Sequence, residues 1–109
     1  RCIDASEKLA DVSVEVVDVR TLLPLDSDTI VSSVKKTSKC LVVHEDTLTC
    51  GLGAEIAARI GEAAFEYLDG PVRRLASLDT PIPYAKPLER AFMPQVDDIC
   101  HAIKSLHSY

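Results

Sequence analysis

Nothing in this sequence approaches the ~18 consecutive apolar residues of a membrane-spanning helix. It has no low-complexity tract, no internal repeat and no visible signal-peptide pattern. Basic residues are scarce, with 12 Lys and Arg against 17 Asp and Glu, a net charge of −5. That balance argues against nucleic acid and anionic membrane surfaces as partners. It suits solubility, or docking to a basic protein. No cysteine pair shows C-x-x-C spacing, so Cys2, Cys40, Cys50 and Cys100 read as reduced, buried thiols in a reducing compartment. Cys40, His44 and Cys50 lack the fourth ligand and tight pairing of a structural zinc site.

What is present is a 109-residue chain with an ordinary globular balance, 47% apolar and 27% charged, enough for one domain over residues 1–109 with one core. It is organised around the stretch from Cys40 to Ile60. Cys40 to Val43 form a short apolar run that suits a strand buried on both faces. A helix pattern starts at Ala54, with Ile56, Ile60, Ala63, Ala64 and Tyr67 on one face. Gly51 and Gly53 lie between them and mark a tight turn, with Gly53 expected at positive φ. Strand, glycine turn and helix make half of a βαβ unit. The dinucleotide fingerprint requires a third glycine where Ile56 stands, and Glu55 in the first turn would repel a phosphate, so a structural helix start is favoured.

Around this centre the chain reads as alternating elements. Ile3 to Ala10 has helical spacing, with Ile3, Ser6, Leu9 and Ala10 on one side and no cap ahead, as if the chain began inside a larger domain. Val12 to Val19 is valine-rich and predicts a strand with bulk on both faces. Asp26 is placed as an N-cap for a helix burying Ile30, Val31 and Val34 and ending near Lys36. Asp69-Gly70-Pro71 stops the central helix, and Val72 to Ala76 predicts a short strand. Residues 77–94, with Pro81, Pro83, Pro87 and Pro94, predict a long extended surface loop. Pro94 is expected to open a last helix carrying Val96, Ile99, Cys100, Ile103, Leu106 and His107. The order implies an α/β fold with a small, mainly parallel sheet flanked by helices, and a further strand ahead of Arg1.

No catalytic set emerges. His44 beside Glu45 has the composition of a general base, but no nucleophile motif accompanies it, and a structural or interface histidine is favoured. His101 and His107 read as solvent-facing and as packing or frayed. Arg20, Arg59, Arg73, Arg74 and Arg90 read as ion-pair partners for the acidic residues rather than as anion ligands. These residues assign no catalytic, cofactor or metal position to this chain.

Several segments together resemble one family: Asp18-Val-Arg20-Thr21-Leu22-Leu-Pro24-Leu25-Asp26, His44-Glu45, Gly51-Leu-Gly53-Ala54-Glu55-Ile56-Ala57, Leu78-Asp79-Thr80-Pro81-Ile-Pro83-Tyr84, Leu88-Glu89 and Met93-Pro94. Their combination is similar to the C-terminal domain of the beta subunit of thiamine diphosphate-dependent 2-oxo acid dehydrogenases, of pyruvate, branched-chain or acetoin type. The resemblance implies a transketolase C-terminal fold with its first strand missing. It also implies an α2β2 oxidoreductase, in the mitochondrial matrix or the bacterial cytoplasm, that decarboxylates a 2-oxo acid and passes the acyl group to lipoamide. Thiamine diphosphate and magnesium would lie outside this chain, between the alpha subunit and another domain. His44-Glu45 resembles the acetoin and branched-chain branches, and Asp69-Gly-Pro71-Val and Leu88-Glu89-Arg90 the pyruvate branch.

The role so implied is assembly. Tyr84, Leu88 and Phe92, exposed on a proline-fixed loop, are expected to meet a neighbouring subunit, the alpha subunit or a second beta subunit. Asp69 and the terminal Tyr109 are expected to meet the basic subunit-binding domain of the dihydrolipoyl acyltransferase; the alternative is a turn-capping Asp69 and a frayed Tyr109. A transketolase, a deoxyxylulose phosphate synthase or a free-standing α/β binding module are the competing readings.

Overall fold

Asp26 sets the first helix boundary that matters to the core. In the computed structural model, which describes residues 1–109, its carboxylate accepts from the Thr29 backbone N–H at 3.1 Å and the Thr29 hydroxyl at 2.7 Å. That caps α2 (Ser27–Thr37), which buries Ile30 and Val34 and ends on Ser38 in the left-handed conformation. β1 (Leu41–Thr47) follows, then α3 (Leu52–Ala64) and a 3₁₀ turn (Phe65–Tyr67). β2 (Arg73–Ser77) pairs parallel with β1, as expected for strands joined by a helical crossover. α1 (Cys2–Lys8), α4 (Lys86–Phe92) and α5 (Val96–His107) complete the chain.

The sheet is covered on both faces. Val42 packs into the cluster of Ile30, Val34, Ile56, Ile60 and Ala64 contributed by α2 and α3. Its neighbours Leu41 and Val43 point the other way, as pleating requires, towards Ile99, Ile103 and Leu106 of α5. α1 lies against α5, burying Ala5 and Leu9. This is the expected α/β arrangement, a small parallel sheet between helical layers.

Several expectations are corrected. Val12–Val19 forms no strand: no backbone hydrogen bond involves residues 13–21, and the sheet has two strands. Valine's strand preference reflects packing against neighbouring strands, and here none adjoins the segment. Ile3 is exposed, because α1 turns Cys2, Ala5 and Leu9 inward instead. α3 begins at Leu52 rather than Ala54; Ala63 is exposed because the buried stripe runs through Ile56, Ile60 and Ala64 beside it, and Tyr67 is exposed because the helix tightens after Ala64 and turns it off that face. The 77–94 segment is not extended throughout. α4 forms within it, with Pro87 in its first turn, where the missing N–H costs nothing. Pro94 lies before the α5 cap, Gln95, whose side chain makes a reciprocal capping box with Asp98.

The Thr29 contacts hold the Asp26 carboxyl below its ordinary value of 3.8. Because the folded value is depressed, its stabilising effect is present above 3.8 and is lost as pH falls below that value. Asp26→Asn keeps a capping oxygen but cannot titrate, so its melting temperature is expected to fall less between pH 4.5 and 2.5 than that of the wild type. Identical acid limbs in circular-dichroism melts would rule out this contribution.

Candidate functional site

β1 is irregular where it approaches the glycine turn. Val43 pairs with Leu75 and Thr47 with Ser77, so β1 carries two more residues than β2 between these pairs. The buried Ser77 hydroxyl donates to the Glu45 carbonyl at 2.6 Å and satisfies the bulged backbone. The bulge places the His44 ring beneath the turn into α3. Both ring nitrogens are buried and have no hydrogen-bond partner.

That ring explains the glycines. A Cβ at Gly53 would stand 2.3 Å from His44 Nε2, and one at Gly51 would stand 2.1 Å from the Thr47 carbonyl oxygen and 2.7 Å from His44 Cε1. The expectation of positive φ at Gly53 is corrected: no glycine has positive φ, and the left-handed residue of the turn is Cys50, at 60°. Both glycines are needed for close approach, Gly53 to a side chain and Gly51 to the backbone as well.

The same loop is clamped from the end of β2. The Asp79 carboxylate accepts from the Thr49 N–H at 2.9 Å and the Thr49 hydroxyl at 2.6 Å. Those contacts hold the Asp79 carboxyl below the usual carboxylate range. Arg74 Nη1 donates to the Leu48 carbonyl at 2.8 Å. Reading the sequence missed Asp79 and Arg74 as clamps, because their partners lie 30 and 26 residues away.

This turn offers little to an anion or a metal. Glu55 occupies the first turn of α3 and pairs with Arg59 at 2.7 Å. Glu45 is turned away from His44 towards Arg1, at 3.5 Å. No group of three His, Cys, Asp or Glu side chains is placed to hold a metal ion. The residues therefore do not fit a diphosphate with its magnesium, nor zinc at Cys40, His44 and Cys50. All four cysteines are free. Burial pushes the Cys40 thiol up to about 11, whereas Cys50 is exposed, against the expectation of four buried thiols.

Two surfaces lie apart from the turn. Leu78, Ile82, Tyr84 and Leu88 form a run of exposed apolar side chains, with Tyr84 fully exposed at 104%. Phe92 does not join them: it is 6% exposed and anchors the segment inward, while the Leu78 N–H donates to its carbonyl at 3.2 Å. Phe92 as a contact residue is thus corrected to a core residue, because α4 turns it under the loop. At the other corner the Asp69 N–H donates to the Ser38 carbonyl at 2.8 Å. The Tyr109 ring lies over Gly70, with its Cδ1 3.1 Å from where a Cβ would stand, so it is packed although still largely exposed.

The Gly51 and Gly53 contacts separate two steric mechanisms. Gly53→Ala is expected to destabilise by about 1–3 kcal/mol through overpacking, and His44→Ala in the same chain is expected to recover part of that loss. Gly51→Ala meets backbone and should not be rescued by His44→Ala. Urea denaturation of the double-mutant cycles measures this, and equal rescue at both positions would refute the assignment.

Comparison with known proteins places this architecture. The model of the transketolase C-terminal domain matches residues 1–99. The chain is 47% identical over 105 residues to the mitochondrial pyruvate dehydrogenase E1 component subunit beta of Dictyostelium discoideum, covering 94% of this chain and 30% of that protein. It is 48% identical over 102 residues to subunit beta-1 of Arabidopsis thaliana, 92% of this chain and 28% of that one. With the Rickettsia bellii subunit beta the identity is 44% over 96 residues, 88% of this chain and 30% of that one. The chain thus spans about 30% of the length of these relatives. With its parallel sheet, helical layers and matched residues, the chain belongs to the transketolase C-terminal domain family.

Proposed function

We propose that residues 1–109 are a single C-terminal domain of the beta subunit of a pyruvate dehydrogenase E1 component, and that the domain serves assembly rather than chemistry. The observation that carries this reading is the exposed row Leu78, Ile82, Tyr84 and Leu88, held out on a segment tied at both ends by Phe92 and the Leu78 hydrogen bond. A row of large exposed apolar side chains suits a subunit interface. The relatives named pyruvate dehydrogenase favour pyruvate over branched-chain substrates or acetoin. Identity above 40% along nearly the whole chain favours this reading over a transketolase, a deoxyxylulose phosphate synthase or a free-standing module.

On this reading the whole enzyme is an α2β2 oxidoreductase that decarboxylates pyruvate and passes the acetyl group to lipoamide. Thiamine diphosphate and magnesium bind outside this chain, since the turn at α3 does not fit a diphosphate. Such an enzyme works in the mitochondrial matrix of a eukaryote or the cytoplasm of a bacterium; the Dictyostelium relative is named mitochondrial and the Rickettsia one is bacterial.

The assembly reading separates Tyr84 from Phe92. Tyr84→Ser with Leu88→Ser is expected to leave the domain folded and to weaken tetramer formation by about 2 kcal/mol or more, roughly 30-fold. Phe92→Ser should unfold the domain instead, at a cost of about 3–5 kcal/mol. Sedimentation of the coexpressed subunits measures the first effect and thermal melting the second. An unchanged tetramer in the double variant would refute the interface.

Asp69 and Tyr109 share one corner, and we assign them to docking of the acyltransferase's basic subunit-binding domain. Asp69 leaves its carboxylate free, because its backbone rather than its side chain holds the turn. Asp69→Asn keeps that backbone contact and removes the charge. In the assembled enzyme it should weaken docking by about 1 kcal/mol, roughly fivefold, with the difference shrinking as salt rises. Equal affinities of both proteins at two salt concentrations, measured by calorimetry with the isolated subunit-binding domain, would leave Asp69 as a turn residue only.

A further inference from the structure

The apolar row from Leu78 to Leu88 leaves the sheet beside the turn that leads β1 into α3, and three hydrogen bonds join the two. The Leu48 N–H donates to the Ser77 carbonyl at 3.3 Å. The Asp79 carboxylate accepts from the Thr49 N–H at 2.9 Å and from its hydroxyl at 2.6 Å. Leu48 is thereby held next to Leu78, although α3 and β2 lie between them in sequence, and both side chains are exposed, at 38% and 56%. Arg74 holds the same residue from β2, by its bond to the Leu48 carbonyl.

The row has few other restraints. Between β2 and α4 the chain has no regular structure. Asp79 is the only residue from Leu78 to Leu88 whose side chain makes a hydrogen bond. On the main chain, Leu78 bonds to the Phe92 carbonyl and Thr80 turns back to Leu78, while Ile82 and Tyr84 make no hydrogen bond. Thr49 and Asp79 are both exposed. A hydrogen-bonded pair in contact with water adds little to the stability of a fold. Its larger effect is on order: a surface whose segments are fixed beforehand loses less conformational entropy when a partner covers it.

We propose that Asp79 is the positioning residue of the assembly face: it holds Leu48 and the row from Leu78 together as one surface for the neighbouring subunit. The inference rests on the proposed function, since it takes the row as an interface and adds a second element to it. The partner is the subunit that covers the row, because Leu48 adjoins Leu78 and one surface spans both. An unpaired carboxylate beside an apolar contact would resist being covered. Asp79 brings its own two donors from Thr49, so closure of the interface over it leaves no charge without a partner.

The test uses the coexpressed, assembled enzyme, with sedimentation reading the tetramer and circular dichroism the fold. Asp79→Ala should raise the tetramer dissociation constant about tenfold and leave the chain folded. Asp79→Asn keeps an oxygen for the Thr49 N–H and should recover most of that loss. Equal weakening by both would mean that the charge itself meets the partner, and would overturn the positioning role. Leu48→Ser should weaken assembly to a similar degree. In its background Asp79→Ala should cost only about threefold more, because the residue acts through Leu48. Full additivity of the two would overturn the proposal. Should Asp79→Ala fail to fold, Thr49→Val removes only the hydroxyl bond and should weaken the tetramer about threefold. An unchanged tetramer in the folded Asp79→Ala or Thr49→Val protein would overturn this inference alone, provided that Tyr84→Ser with Leu88→Ser still weakens it. An unchanged tetramer in that double variant removes the interface, and this inference with it.

Discussion

The contact between the His44 ring and the glycine turn governs the geometry around it. β1 and α3 approach closely only because Gly51 and Gly53 lack a Cβ where the ring and the Thr47 carbonyl stand. That approach brings Ile56 and Ile60 over Val42 and against Ile30 and Val34, which is the main core cluster. The price is a buried imidazole with no partner on either nitrogen, a desolvation cost that the packing above it must exceed. Glu45 turns away to Arg1, so nothing activates the ring as a base.

The parts of the fold legible in the sequence are those decided locally. Asp26 followed three residues later by Thr29, with Ile30 and Val34 on one face, specifies a capped helix without help from distant residues. The apolar run from Cys40 to Val43 reads as a strand between helices, and it lies between α2 and α3 on one face and α5 on the other, though half-buried rather than buried. The Val12–Val19 run has equal strand character by composition, yet pairs with nothing in this chain. Strand pairing is a tertiary event, and propensity cannot say whether a partner is present.

The candidate site was legible in the same uneven way. Tyr84 stands exposed as its proline-rich surroundings imply, whereas Phe92, eight residues on, lies inside because a short helix forms between them. Four prolines argued for an extended loop, but Pro87 occupies a helix first turn, where proline is tolerated. The reason for Gly53 was misread because two steric causes, positive φ and close approach, select the same residue. Only the position of His44, set by a bulge that pairing with β2 creates, distinguishes them.

The exposed area ties these features together. A monomer of 11.9 kDa is expected to expose about 5,900 Å², and this chain exposes 7412 Å². Its radius of gyration of 14.1 Å exceeds the roughly 13 Å of a compact domain of this length. The surplus is on the order of what two standard interfaces remove from one partner, about 800 Å² each. Two features contribute to the exposed area: the cleft lined by Val12–Val17, Leu41 and Val43, and the row from Leu78 to Leu88. A surplus of that size fits the proposed assembly role better than a free-standing module.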